Sequence, residues 1–104
     1  MTEYTAQRAP DRAPTHPGAI LRDDVLPALH LSIAEAARRL HVSRQTLTEL
    51  IAERQAFTPA MALRVGKLAG NGGAFWLHMQ GEHDLWQTGR DMAEELQTIK
   101  RATA

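Results

Sequence analysis

Between Ile33 and Ala52 the chain has room for two short helices, a turn of three or four residues, and little else. Ser32 stands where a hydroxyl can cap a first turn, and Glu35 follows at the spacing of a capping box, from which it can reach back. The helix they open runs through Ala36, Ala37 and Leu40, and His41 and Val42 form a turn. Ser43 then caps a second helix with Leu47, Leu50 and Ile51 on its inner side. Small or apolar side chains therefore fall wherever two crossing helices must touch. Ala37 is the tightest constraint, because a larger side chain at the crossing would push the second helix away. This is the spacing of a helix-turn-helix. A plain helical hairpin with a polar outer face has the same spacing, so the chemistry of that face has to separate the two.

The outer face of the second helix carries Arg44 and Gln45 at its N-terminus and Thr48 and Glu49 one turn on. Arginine pairs with guanine, glutamine with adenine, and a carboxylate can accept from cytosine. Ser32 and Ser43 open helices whose first N–H groups can hold phosphates. Arg38, Arg39 and Arg54 offer further phosphate contacts, each sensitive to salt. The overall formal charge is zero, which by itself argues against nucleic acid, but the distribution is uneven. Residues 32–67 carry a net +3 and residues 81–104 a net −2.

The rest of the chain builds an all-α domain around this unit. A length of 104 residues suits one domain with one modest core. Residues 1–15, with Pro10 and Pro14 and no apolar period, read as a flexible arm. The helical domain spans 16–80 and a C-terminal helical extension 81–104. His16-Pro17-Gly18 opens a helix with Ile20, Leu21, Val25 and Leu29 at roughly helical spacing, and Pro27 ends it or bends its exit. Thr58-Pro59 opens another, with Met61, Leu63, Val65 and Leu68, which Gly70-Asn71-Gly72-Gly73 stops. Phe75, Trp76 and Met79 start a fifth helix. Leu85, Met92, Leu96 and Ile99 mark a final amphipathic helix with acidic residues outside. Its apolar stripe predicts burial against the core, a second subunit or another protein.

Several chemistries find no support. There is no cysteine, so disulfides and thiolate metal sites are excluded. His78 and His83 are five apart and do not share a helical face, and no HExxH motif is present, so no metal is expected. No nucleophile motif or phosphate loop points to an enzyme or a cofactor. Trp76 and Trp86, beside Phe75, Leu77 and Met79, read as core or subunit contacts in preference to a ligand pocket. No apolar run reaches the roughly 18 residues of a membrane span, and no secretory signal is visible, which suits the cytoplasm.

Six blocks occur together, and in this order. They are His16-Pro17-Gly18-Ala19-Ile20-Leu21-Arg22, Leu31-Ser32, Val42-Ser43-Arg44-Gln45-Thr46-Leu47, Thr58-Pro59-Ala60-Met61-Ala62-Leu63-Arg64, Phe75-Trp76-Leu77 and Asp84-Leu85-Trp86. Over about residues 16–88 the string resembles the HigA-type (VapI-like) antitoxins of the XRE/Cro-repressor group. The resemblance implies a five-helix lambda-repressor-like fold, here with the additional C-terminal helix, in a bacterial cytoplasmic homodimer. It implies binding to an inverted-repeat operator in the protein's own promoter, and a HigB-type ribonuclease toxin as partner. By position, Ser43, Arg44, Gln45, Thr46, Thr48 and Glu49 match the family's DNA-facing helix, with Arg44 and Gln45 on bases and Ser43 and Thr46 on phosphates. The chain departs from the pattern at three places. His41 stands where glycine is usual, Ile33 where many relatives have glutamine, and Glu53-Arg54 where an Asn-Gly-type turn is common. A stand-alone XRE regulator without a toxin, or an interaction module that has lost DNA binding, would share most of these features.

Overall fold

The computed structural model describes residues 12–103. The arm expected over residues 1–15 therefore lies outside the described residues as far as residue 11. Among the described residues there are six helices and no strand. Helix α1 is one rod in three parts: Pro17–Ile20, a π-helical stretch Leu21–Val25, and Leu26–Ala28. Then come α2 (Ile33–Leu40), α3 (Arg44–Ile51), α4 (Pro59–Ala69), α5 (Gly73–Asp91) and α6 (Ala93–Thr98).

Four of the six starts, those of α1 to α4, carry a side-chain cap. His16 caps α1, its Nδ1 accepting the Gly18 N–H at 2.9 Å, with Pro17 at the first helical position. The Ser32, Ser43 and Thr58 hydroxyls accept from the N–H groups of Glu35, Thr46 and Met61 at 3.1, 3.0 and 3.2 Å. The capping box at Ser32 is only half made. The Glu35 carboxylate turns to Arg38 and Arg39 on its own helix and does not reach back, because two guanidinium groups one turn ahead outbid one backbone N–H.

Pro27 neither ends α1 at once nor breaks it. The turn before it widens, Leu26 N–H reaching the Leu21 carbonyl, and this makes room for a ring that would otherwise strike the carbonyl four residues back. Three helices close on a residue with positive φ that is not glycine: His30 (56°), His41 (61°) and Glu53 (65°). Around each, one N–H bonds three residues back and the next bonds five back, the Schellman pattern. A φ of 61° at His41 is the left-handed backbone that its place in the turn demands.

The core is one cluster. It runs from Leu21 and Leu26 of α1 through Ala36, Ala37 and Leu40 of α2 and Leu47, Leu50 and Ile51 of α3. It continues through Phe57 to Met61, Ala62 and Val65 of α4 and Trp76 of α5. Trp76 is fully enclosed, stacked on Phe57 at 5.5 Å and met edge-on by Phe75 at 5.1 Å, and its indole N–H bonds Asn71. Two glycines are set by close approach. A Cβ on Gly18 would lie 2.1 Å from the Leu50 carbonyl oxygen, and one on Gly66 would lie 2.2 Å from the Gly72 backbone. The first contact seats α1 directly on α3.

The C-terminal part differs from the expected layout. Helix α5 runs unbroken through residues 80 and 81 and stops only at Asp91, with Gly81 and Gly89 carried inside it. Its buried residues, Trp76 and Gln80, lie in its first half. Leu85 is 73% exposed, and Leu96 and Ile99 are exposed as well. Of the stripe that predicts burial, Met92 alone is half-buried, and among the described residues Leu85, Leu96 and Ile99 find no cover. Among the described residues no helix is long and apolar enough to cross a membrane.

Candidate nucleic-acid interface

Helix α3 is held from three sides. Leu47 and Leu50 bury its inner face against α2 and the core. Ser43 caps its start, and the Ser43 hydroxyl also bonds the Thr46 hydroxyl at 2.8 Å. At its end, Arg22 of α1 donates to the Ile51 carbonyl at 2.9 Å and reaches the Glu53 carboxylate at 3.4 Å. A cation on the last carbonyls of a helix meets the negative end of its dipole. Fixed in this way, α3 presents Arg44, Gln45 and Thr48 outward, all exposed.

The basic residues fall into two groups. Arg38 and Arg39 share the Glu35 carboxylate, Arg39 at 3.0 Å. Arg54 grips Glu49 through two parallel bonds of 2.9 and 3.2 Å. The hydrogen bonds from Arg38, and next from Arg39, hold the Glu35 carboxyl below its ordinary value. The bond from Arg54 does the same to Glu49, and in return the Arg54 guanidinium is held more firmly protonated. By contrast, Arg44, Arg64 and Lys67 are exposed and make no ion pair with a described residue. The sequence-derived site therefore assembles unevenly. Ser43, Arg44, Gln45, Thr46, Thr48 and Glu49 occupy one short helix, and Arg54 is folded back onto it. Ser32, Arg38 and Arg39 sit on α2, with the Ser32 hydroxyl occupied by the Glu35 N–H.

No family model matches the chain. The HTH-type transcriptional regulator YbaQ of Escherichia coli K12 is 40% identical over 91 residues, covering 86% of this chain and 80% of that protein. Among solved structures, the Pseudomonas aeruginosa antitoxin HigA with higBA promoter is 31% identical with a TM-score of 0.81, covering 86% of this chain and 99% of that one. The chain belongs to the HigA-type family of helix-turn-helix antitoxins. A further HigA-type fold, antitoxin GraA in complex with its operator, has a TM-score of 0.81 at 31% identity, over 89% of this chain and 95% of that one. The family is one of DNA-binding regulators and not of enzymes.

Two positioning residues of this HigA-type chain are invisible to motif reading. Arg22 anchors the end of α3 from 29 positions away in sequence. Gln80, buried in α5, accepts from the Phe57 N–H in the loop that follows α3. The one available signal for Gln80 is a polar residue on the apolar side of a helix. Arg22 has none, since a charged residue beside a buried leucine is ordinary on a surface helix. Among the described residues no cluster of three or more His, Asp or Glu side chains could hold a metal.

Proposed function

We propose that this protein is the antitoxin of a type II toxin–antitoxin pair. As a cytoplasmic homodimer it binds an inverted-repeat operator in its own promoter as a repressor, and it neutralises a HigB-type ribonuclease toxin by direct binding. The observation that carries the reading is the free outer face of α3. Arg44, Gln45 and Thr48 are unoccupied by any described residue on a helix anchored at both ends, in a chain that matches promoter-bound and operator-bound antitoxins over most of its length. On this reading Arg44 and Gln45 contact bases. Ser43, Thr46 and the N-terminus of α2 at Ser32, together with Arg38, Arg39 and Arg54, contact phosphates. Half-sites then lie about one helical turn apart, roughly 34 Å, or a multiple of it. No cofactor or metal takes part.

Fluorescence anisotropy on the chain's own upstream promoter, against a scrambled fragment and across a salt series, tests the repressor half. Preferential binding that weakens steeply with salt is expected. Equal, negligible binding to both fragments would remove it. The second reading, a stand-alone XRE-type regulator without a toxin, is favoured by the likeness to YbaQ, which is named a transcriptional regulator. Co-purification with the product of the adjacent reading frame separates the two. A stable complex that silences a ribonuclease supports the antitoxin, and a chain that represses its promoter with no such partner supports the regulator.

A further inference from the structure

A carboxylate on a recognition helix has two possible employments. It can accept from a cytosine amino group, or it can hold a cation of its own chain. Glu49 is in the second state, and three observations bear on it. Both of its oxygens are engaged by one guanidinium, Oε1 by the Arg54 Nε–H at 2.9 Å and Oε2 by Nη2 at 3.2 Å. The backbone repeats the link, since the Arg54 N–H bonds the Glu49 carbonyl at 3.0 Å and closes the end of α3. The bend between them is pinned from the other side, where Arg22 holds both the Ile51 carbonyl and the Glu53 carboxylate. Arg54 thus hangs from a fixed loop with its guanidinium plane set by Glu49. Two of its five N–H donors are committed to the carboxylate, and the others remain for a ligand outside the chain. Base contact by Glu49 would require both of these charge-assisted bonds to be given up.

Resting on the proposed operator binding, we propose that Glu49 is a positioning residue and not a base reader. It holds Arg54 as a sugar–phosphate contact beside the end of α3 and leaves base reading to Arg44, Gln45 and Thr48. Recognition then has a division by charge. The arginine tied to an acid supplies orientation on the duplex, and Arg44, which no described acid holds, supplies sequence.

The test is a double-mutant cycle on operator affinity, with Glu49→Ala, Arg54→Gln and both together. Binding is measured by anisotropy on the promoter fragment and on its single-base-pair variants, across a salt series. Arg54→Gln is expected to weaken binding about tenfold and to lower the salt slope by about one, the signature of a lost phosphate contact. Glu49→Ala should weaken binding several-fold and by the same factor on every base-pair variant, and should have no further effect once Arg54 is gone. Glu49→Gln, which keeps an acceptor for Nε–H, should recover part of the loss. Relaxed discrimination at one base pair, a Glu49→Ala effect that survives in Arg54→Gln, or tighter binding by Glu49→Ala would each overturn the assignment. A wild type that does not prefer its promoter would remove the repressor reading and this one together, whereas a promoter-binding wild type with additive variants removes this one alone. Carbon-detected NMR titration of the Glu49 carboxyl gives a readout without DNA. It should rise toward the ordinary carboxylate value in Arg54→Gln, and an unmoved titration would also overturn the pairing.

Discussion

Gln80 accepts the backbone N–H of Phe57 at 2.8 Å, and through that bond helix α5 holds the loop that follows α3. Both residues are buried. The amide's other end is also used, its Nε2 donating to Asp84 at 2.9 Å, so the carbonyl is the end that must face Phe57. Gln80→Leu keeps the volume and removes the acceptor. An orphaned buried N–H costs about 1–3 kcal/mol, and each kcal/mol moves the midpoint of a domain of this size by roughly 4–8 °C. Thermal unfolding of Gln80→Leu should show a loss on that scale. A midpoint within a degree of wild type would mean that the Phe57 N–H finds another partner.

The left-handed residue at the turn leads to a prediction of opposite sign. His41 is exposed and sits at φ 61°, so its ring has little packing to lose while its backbone carries the αL penalty of about 1–2 kcal/mol. Glycine removes that penalty but gives up about 0.5–1 kcal/mol of unfolded-state entropy. His41→Gly should therefore stabilise by roughly 0.5–1 kcal/mol, and His41→Val, branched at Cβ, should destabilise. Chemical denaturation of the two variants checks the order. A less stable glycine variant would show that the imidazole contributes something the backbone argument lacks.

His16 predicts a pH dependence near neutrality. Its Nδ1 accepts from Gly18, so the bonded form is the neutral one. Burial, and after it the His83 ring at 5.0 Å, pushes the His16 pKa below its ordinary 6.5, while Glu53, Asp84 and the Gln55 carbonyl pull the other way. The folded chain therefore binds fewer protons than the unfolded chain. The contribution is complete above the unfolded value and is lost as pH falls through 6.5 toward the lowered folded value. The paired carboxyls of Glu35 and Glu49 lose theirs only below about 4.5, so the windows separate. The melting temperature should fall between pH 7.5 and pH 5.5, and His16→Asn, which keeps a capping oxygen, should flatten that fall. An equal slope in His16→Asn would remove His16 as the cause.

What the sequence discloses here is what acts over one helical turn. The caps at Ser32, Ser43 and Thr58 join residues three apart, and each forms as the spacing predicts. The order of the helices and the apolar sides of α2 and α3 follow from the same short-range period. Contacts that depend on the finished fold are absent from any such pattern. Arg22 on the Ile51 carbonyl and Gln80 on the Phe57 N–H are of that kind, and even within one turn spacing leaves a choice open, since Glu35 has a capping partner and two arginines within reach and takes the arginines. Glu49 looks like a base contact until Arg54 is folded back onto it. The break expected near residues 80 and 81 falls instead at Met92, because Gly81 and Gly89, which weaken a helix, do not end one without a left-handed cap.

The last prediction separates the two kinds of arginine on the candidate interface. Arg44 is exposed with no acid among the described residues to hold it, so its fork is open to a ligand. If that partner is a guanine edge, Arg44→Ala should cost about 1–3 kcal/mol of operator affinity and relax preference at one base pair per half-site. Arg38 is different, because it shares Glu35 with Arg39. Removing it leaves that carboxylate wholly on Arg39 and takes away a charge without taking away a base contact. Arg38→Ala should therefore weaken promoter and scrambled DNA alike and lower the salt slope. Anisotropy with single-base-pair operator variants reads both. A uniform effect from Arg44→Ala would move that residue to the phosphates, and a base-specific effect from Arg38→Ala would place α2 deeper in the groove than its ion pairs allow.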